Sequence, residues 1–242
     1  MFDHVTIRVP DLEEASAFYG LALGQLGFSE PATDGHFFEW NDFSISEASE
    51  GNPVTRRLHI GFAAASREAV DAWLEGMTAA GYSSDGEPGP RPEYTPEYYG
   101  AFVLDQAGNS AEAVRHEWTS EELGCVDHLW IRVRDVAASK RFYETIAPIS
   151  KFELRHDSAE RATFGGRGAS LSLVAGEPTE NVHLAFTAPD NATVDEFHRT
   201  ALAAGYRDNG PPGERDYHPG YYGAFVLDPD ANNVEAVCHN RD

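Results

Sequence analysis

Basic residues are scarce. The chain has 18 Lys and Arg against 40 Asp and Glu, a formal net charge of −22. A field of that sign repels phosphate backbones and argues against a nucleic-acid partner. Cysteine is nearly absent: Cys125 and Cys238 are the only two, and neither sits in a CxxC spacing. A disulfide framework or a zinc ribbon is therefore not expected. Cys238 lies in an apolar strand pattern and reads as a small buried hydrophobe rather than a nucleophile. No apolar run approaches the roughly 18 residues of a spanning helix, so no membrane partner is expected. The first residues, MFDHVTIRV, lack a basic n-region and an apolar h-region. That start implies no secretory signal and a cytoplasmic protein. What remains is a soluble globular composition, 41% hydrophobic, 12% aromatic and 24% charged, in 242 residues, enough for two modest domains.

The chain repeats itself, and repeats decide architecture. Asp3-His4-Val5 returns as Asp127-His128-Leu129, Phe18-Tyr19 as Phe142-Tyr143, His59 as His183, and Ala80-Gly81-Tyr82 as Ala204-Gly205-Tyr206, all at an offset of 124. After a one-residue deletion, the run from Tyr98 to Asp105 returns from Tyr221 to Asp228, and Glu112-Ala113-Val114 returns as Glu235-Ala236-Val237. Two copies of one domain are expected, at 1–118 and 126–242, joined by a polar linker at 116–124.

Within each copy, periodicity divides the chain again. Residues 4–9 alternate as a half-buried strand. Pro10 ends it, and Asp11 followed by Glu14 fits an N-cap and capping box. Ala15, Phe18, Ala22 and Leu26 then recur at helical spacing. Two short strands follow, at 36–40 and 43–47. A second unit starts with a strand at 58–63. Its helix carries Val70, Trp73, Leu74 and Met77 on one face and ends near Gly81. The Gly/Pro-rich stretch 86–92 reads as a loop, and strands follow at 99–104 and 111–116. The order β-α-β-β(-β) occurs twice per domain and defines an α+β class.

Side chains alternate across a strand, so the apolar face fixes where the polar residues point. Val5, Ile7 and Val9 form the core face of the first strand, which leaves His4 and Arg8 on the other. Leu58, Ile60 and Phe62 oppose His59. In the second copy, Leu129, Ile131 and Val133 oppose His128, Trp130 and Arg132, and Val182, Leu184 and Phe186 oppose His183. Glu112 and Glu235 lie in the last strand of each copy. Two imidazoles and a carboxylate per copy form a facial set with open coordination positions, suited to a divalent metal such as Zn, Fe, Mn or Ni. A single His at a strand start is usually structural; the set of six on equivalent faces is what points to a metal.

These residues carry a resemblance to the vicinal oxygen chelate superfamily, which includes glyoxalase I, fosfomycin-resistance transferases, extradiol dioxygenases and bleomycin-binding proteins. The resemblance rests on residues 3–9 with Phe18-Tyr19, and on Leu-Asp-Pro-Asp-Ala-Asn-Asn-Val-Glu-Ala-Val at 227–237 with its counterpart at 104–114. It implies glyoxalase-like βαβββ modules, four in this chain, whose strands form curled mixed sheets with helices outside. It also implies that His4, His59 and Glu112, with His128, His183 and Glu235, are metal ligands. Pairing within a domain keeps those sets. Swapped pairing joins His4 with His183 and Glu235, and His128 with His59 and Glu112. Sequence leaves both open.

The resemblance further implies a small oxygen-chelating substrate and a metal-dependent lyase or isomerase of glyoxalase type. Glu112 or Glu235 would shuttle the proton, and Arg8, Arg132, Tyr99, Tyr222 and His218 are candidates for substrate contact. The alternative is a bleomycin-resistance-like protein that sequesters an antibiotic. Glyoxalase I adds a fourth acidic ligand, for which Glu47 is the candidate, although a solvated Glu47 is the expected state. A ring-cleaving dioxygenase is disfavoured, since Phe102 and Phe225 stand where that group has Tyr, and Thr95 stands opposite His218. A fosfomycin-type thiol transferase is the other minor alternative. Four modules complete a pseudo-dimer within one chain, so a monomer or a homodimer is expected.

Overall fold

The computed structural model describes residues 2–28, 30–119, 124–166 and 168–240; the expected linker at 116–124 lies partly outside them, at 120–123. Four modules follow one another with the same element order. The first is β1 (Phe2–Val9), α1 (Leu12–Gln25), β2 (Ala32–Thr33), β3 (Phe37–Trp40) and β4 (Phe43–Glu47). The second is β5 (Leu58–Ala63), α2 (Arg67–Ala79), β6 (Ser84–Pro90), β7 (Tyr99–Leu104) and β8 (Ser110–Arg115). The third is β9 (Val126–Val133), α3 (Val136–Ser150), β10 (Glu153–Asp157), β11 (Arg161–Gly165) and β12 (Ser170–Ala175). The fourth is β13 (His183–Thr187), α4 (Asn191–Ala203), β14 (Arg207–Glu214), β15 (Tyr222–Leu227) and β16 (Asn233–Cys238). No helix among the described residues is long and apolar enough to cross a membrane.

Two eight-stranded mixed sheets result, in the orders β14-β15-β16-β13-β1-β4-β3-β2 and β10-β11-β12-β9-β5-β8-β7-β6. Module 1 therefore shares a sheet with module 4, and module 2 with module 3: the swapped pairing. The chain also divides into two compact units, one of Met1–Val5 with Ile131–Asp242 and one of Thr6–Trp130.

Local chemistry explains each element's limits. Every helix starts at a polar cap whose side chain accepts a backbone N–H: Asp11 from Glu14, Ser66 from Ala69, Asp135 from Ala138 and Asp190 from Thr193. The repeated aromatics meet their repeated partners. Phe18 packs edge-on against Tyr82, and Phe142 against Tyr206, each at 4.8 Å. Trp73, fully buried, ties α2 to α1 by donating its indole N–H to the Ala22 carbonyl.

The Gly/Pro-rich stretch differs from the loop expected of it. It forms β6, an edge strand antiparallel to β7 with two register shifts. An edge strand pairs on one side only, so its prolines cost little there. Gly86 is needed for the approach, since a Cβ at that position would lie 2.7 Å from the Phe102 ring.

The turn before each Glu-bearing strand is what sets the site. Asp105 accepts from the backbone of Ala107 and Asn109, from the Asn109 amide and from the Tyr19 hydroxyl, at 2.8–3.0 Å. Asn109 in turn holds the start of β5, accepting from Leu58 N and donating to Thr55 O. The second copy repeats this with Asp228 and Asn232, which accepts from Val182 N. Each turn thus locks a parallel pair in register: Gly61 opposite Glu112, and Ala185 opposite Glu235.

Burial raises the Asp228 carboxyl to about 6, against the hydrogen bonds from Asn232 and Asp230 that favour its charged form. A raised carboxyl favours the fold below its unfolded value and loses that contribution as pH climbs to about 6. The stability of the wild type relative to Asp228→Asn is expected to fall between pH 4 and 6, read from urea midpoints at each pH; a difference constant over that window would refute it.

Candidate metal centres

Each compact unit brings together one His–His–Glu cluster. In the unit of Thr6–Trp130, His59 Nε2 lies 3.0 Å from Glu112 Oε2 and 3.1 Å from His128 Nε2, and His128 Nε2 lies 3.2 Å from Glu112 Oε2. In the other, His4 Nε2 lies 3.0 Å from His183 Nε2 and 3.6 Å from Glu235 Oε2, with His183 to Glu235 at 3.0 Å. The ligand-type atoms of each set lie within 4.8 Å of one another, as a shared cation requires.

The surroundings aim these atoms. Asp3 Oδ1 meets His4 Nδ1 at 2.9 Å, and Asp127 Oδ1 meets His128 Nδ1 at the same distance. A carboxylate there accepts a hydrogen bond from Nδ1–H, which fixes the tautomer and turns the Nε2 lone pair into the cluster. Tyr98 donates to both oxygens of the fully buried Glu112 (2.9 and 3.0 Å), and Tyr221 donates to Glu235 Oε1 (2.7 Å). Gly100 and Gly223 make room for these carboxylates: a Cβ on Gly100 would sit 2.1 Å from Glu112 Oε1, and one on Gly223 2.5 Å from Glu235 Oε1.

Charge follows from this packing. Burial opposes ionisation of Glu112, yet hydrogen bonds from His128 and His59 hold its carboxyl below the usual range. Burial also opposes charge on His128, but Asp127 and Glu112 together lift it to about 10. His59 is lowered, chiefly by burial, with the neighbouring His128 charge adding to the effect. Asp127 falls to about 2 because His116 and His128 outweigh its burial, and Asp3 does the same beside His4 and His239.

The remaining candidates are placed differently. Tyr99 and Tyr222, expected at the substrate, instead donate to Asp71 of α2 and Asp195 of α4. They share a strand face with Ala101 and Ala224, turned to the helices, and it is Tyr98 and Tyr221 that reach the clusters. The Arg8 guanidinium is bonded to Ser46, and its backbone N donates to Thr55. Arg132 is exposed, its aliphatic stem over Gly176. His218 does not enter a cluster. It is linked through His239 (2.8 Å) to Asp3, and so to His4; Thr95, its counterpart, bonds Glu117. Glu47 is exposed and shares its strand face with buried Phe43 and Ile45, whereas Ser44 and Ser46 take the face that meets Thr6 and Arg8. A fourth acidic ligand is therefore not supplied from β4.

Sequence reasoning passed over the orienting aspartates and the hydrogen bonds by which Tyr98 and Tyr221 hold the glutamates. It also passed over Trp130 as a wall, set edge-on to His59 at 6.0 Å and to Tyr94 at 5.3 Å. Asp3 and Asp127 were legible as repeated neighbours of His4 and His128; the tyrosines turn on a one-residue choice of face.

This fold, with a His–His–Glu set spanning two modules, defines a class. The signature of the Glyoxalase/Bleomycin resistance protein/Dioxygenase superfamily matches residues 1–113 and again 126–236, and the chain belongs to that superfamily. Solved structures with this fold include glyoxalase I from Zea mays, 18% identical over 98% of this chain and 92% of that one with a TM-score of 0.68. Another is a putative dioxygenase from Bacillus subtilis, 14% identical over 99% of this chain and 85% of that one, TM-score 0.68. No curated protein sequence matches the chain.

Proposed function

We propose that each His–His–Glu cluster holds one divalent metal, of the Zn, Fe, Mn or Ni type, and that the protein is a glyoxalase-like lyase or isomerase acting on a small molecule with two neighbouring oxygens. One observation carries the reading. The three contact atoms of the Thr6–Trp130 cluster form a triangle of 3.0, 3.1 and 3.2 Å. Ligands at about 2.1 Å on three perpendicular positions of an ion are spaced about 3.0 Å apart. Two imidazole nitrogens and one carboxylate oxygen converging at that spacing form a ligand set that a single divalent cation fits.

When bound, the metal supplies Lewis acidity to two oxygens of the substrate and stabilises an enolate-like charge. The chain supplies the rest. Asp3 and Asp127 fix the ring orientation of His4 and His128. Glu112 and Glu235 are the bases suited to carry a proton between neighbouring carbons, each poised by a tyrosine hydroxyl that limits its swing. Trp130 and Phe102 set aromatic rings beside His59, and Tyr94 packs edge-on against Trp130. Those aromatics equally suit a sequestering protein, and metal content separates the two readings.

Untagged protein purified without chelator is expected to hold one to two metal equivalents per chain by plasma mass spectrometry. A His4→Ala/His128→Ala double variant is expected to lose them. Protein that arrives metal-free and takes up no added divalent ion would sink the enzyme reading and favour antibiotic sequestration.

A further inference from the structure

Cations are outnumbered in this acidic chain, 18 against 40 acids, and several answer an acid directly: Arg67 pairs with Glu97, Arg134 with Asp230, Lys140 with Asp157, Arg155 with Glu153 and Arg199 with Glu196. Arg91 and Arg215 do not. They occupy matching positions, just past β6 and β14, and neither joins an ion pair among the described residues. Both are half-buried.

Their placement is built. The Arg91 backbone N donates to Tyr98 O and that of Arg215 to Tyr221 O, which sets each arginine beside the tyrosine that holds the cluster's glutamate. Each guanidinium lies over a phenylalanine ring, Arg91 over Phe102 at 5.5 Å and Arg215 over Phe225 at 5.3 Å. Those rings adjoin the clusters: Phe102 is 5.8 Å from the His59 ring, and Phe225 is 6.2 Å from the His183 ring. Phe102 and Phe225 are also the direct cross-strand partners of Glu112 and Glu235, hence on the same face. Backbone carbonyls complete the arrangement. Arg91 donates to Pro90 O and Glu87 O, and Arg215 to Glu214 O and Pro211 O. A guanidinium has five N–H donors in a fixed fork, so three remain on each arginine. Stacking and two carbonyls hold the fork without neutralising it, and the feature occurs twice.

We infer that Arg91 and Arg215 bind an oxyanion of the substrate, so that the molecule held at each cluster carries a carboxylate or phosphate-type group beyond its two chelating oxygens. The inference rests on the metal reading above and adds the substrate class to it. A planar fork matches the two oxygens of such a group. The overall charge of −22 repels anions at long range, so any anion preference must come from a local cation such as these.

The test compares two probes on the full chain loaded with zinc: a hydroxamate carrying a carboxylate on a short tether, and its methyl ester. Wild-type protein is expected to bind the carboxylate on the order of tenfold more tightly than the ester. In Arg91→Met/Arg215→Met that preference is lost, with ester affinity and zinc content unchanged. Equal affinity for the two probes in the wild type overturns the inference, as does a variant that weakens both probes alike. If zinc does not load, the metal reading fails on its own. The same two probes are then compared on zinc-free protein, where the carboxylate preference and its loss decide the arginine assignment by the same criteria.

Discussion

Removing His4 and His183 together is expected to leave one zinc equivalent per chain, whereas removing His4 and His59 together leaves none. The strand order sets this outcome. The chain leaves one compact unit for the other within β1, between Val5 and Thr6, so His4 belongs with residues 131–242 while the rest of its repeat belongs with Thr6–Trp130. His4 then meets His183 and Glu235, and His128 meets His59 and Glu112. His4→Ala/His183→Ala strips two ligands from one cluster and leaves the other whole. His4→Ala/His59→Ala takes one ligand from each, and the two that remain on either side form a weak site at micromolar zinc. Pairing within a repeat would reverse the results, one equivalent for His4→Ala/His59→Ala and none for His4→Ala/His183→Ala. Zinc content after reconstitution and desalting reads the answer directly, with near-ultraviolet circular dichroism reporting whether each variant keeps its packing.

The pairing was not legible in the sequence for a specific reason. Alternation in β1, β5, β8 and their repeats puts six ligand-type residues on equivalent faces, and period-2 geometry needs no tertiary knowledge to do that. Which modules then share a sheet depends on long-range strand pairing, and a duplication makes both pairings equally consistent with the pattern. The module order was readable from Asp11, Pro10 and the repeated Phe-Tyr, because caps and helical spacing are local. The choice between Tyr98 and Tyr99 was not, since both are tyrosine and β7 offers two faces. Gly100 carried the missing signal: it shares a face with Tyr98 and Phe102 and is the gap into which the Glu112 carboxylate fits. Arg8 and Arg132 share a strand face with His4 and His128 by the same period-2 rule. Arg91 follows an edge strand of glycine and proline that sequence patterning reads as a loop.

The two clusters are not copies in their details, and one residue accounts for the difference. Gly61 lies opposite Glu112 in the parallel pair, and Ala185 lies opposite Glu235 at the matching place. Without a Cβ at 61, the His128 ring settles onto the strand: a Cβ built there would be 2.2 Å from His128 Cε1. His128 is accordingly 5% exposed in its side chain and lies 3.2 Å from Glu112, while His4 is 19% exposed and lies 3.6 Å from Glu235. Gly61→Ala forces the His128 ring outward, and Asp127, bonded to its Nδ1, resists the move. Zinc affinity at that cluster is expected to fall by about 10- to 100-fold, the range seen when a ligand's orienting contacts are disturbed. Ala185→Gly is expected to act in the opposite sense, letting His4 approach Glu235 and tightening the second cluster. Each variant is titrated with zinc against a chromophoric chelator in a background where the other cluster is disabled, Gly61→Ala with His4→Ala/His183→Ala and Ala185→Gly with His59→Ala/His128→Ala. Wild-type protein, by the same logic, takes up zinc in two separable steps with the buried cluster filling first. Equal affinities for the two wild-type clusters, unchanged by either substitution, would show that the difference in burial has no bearing on the metal.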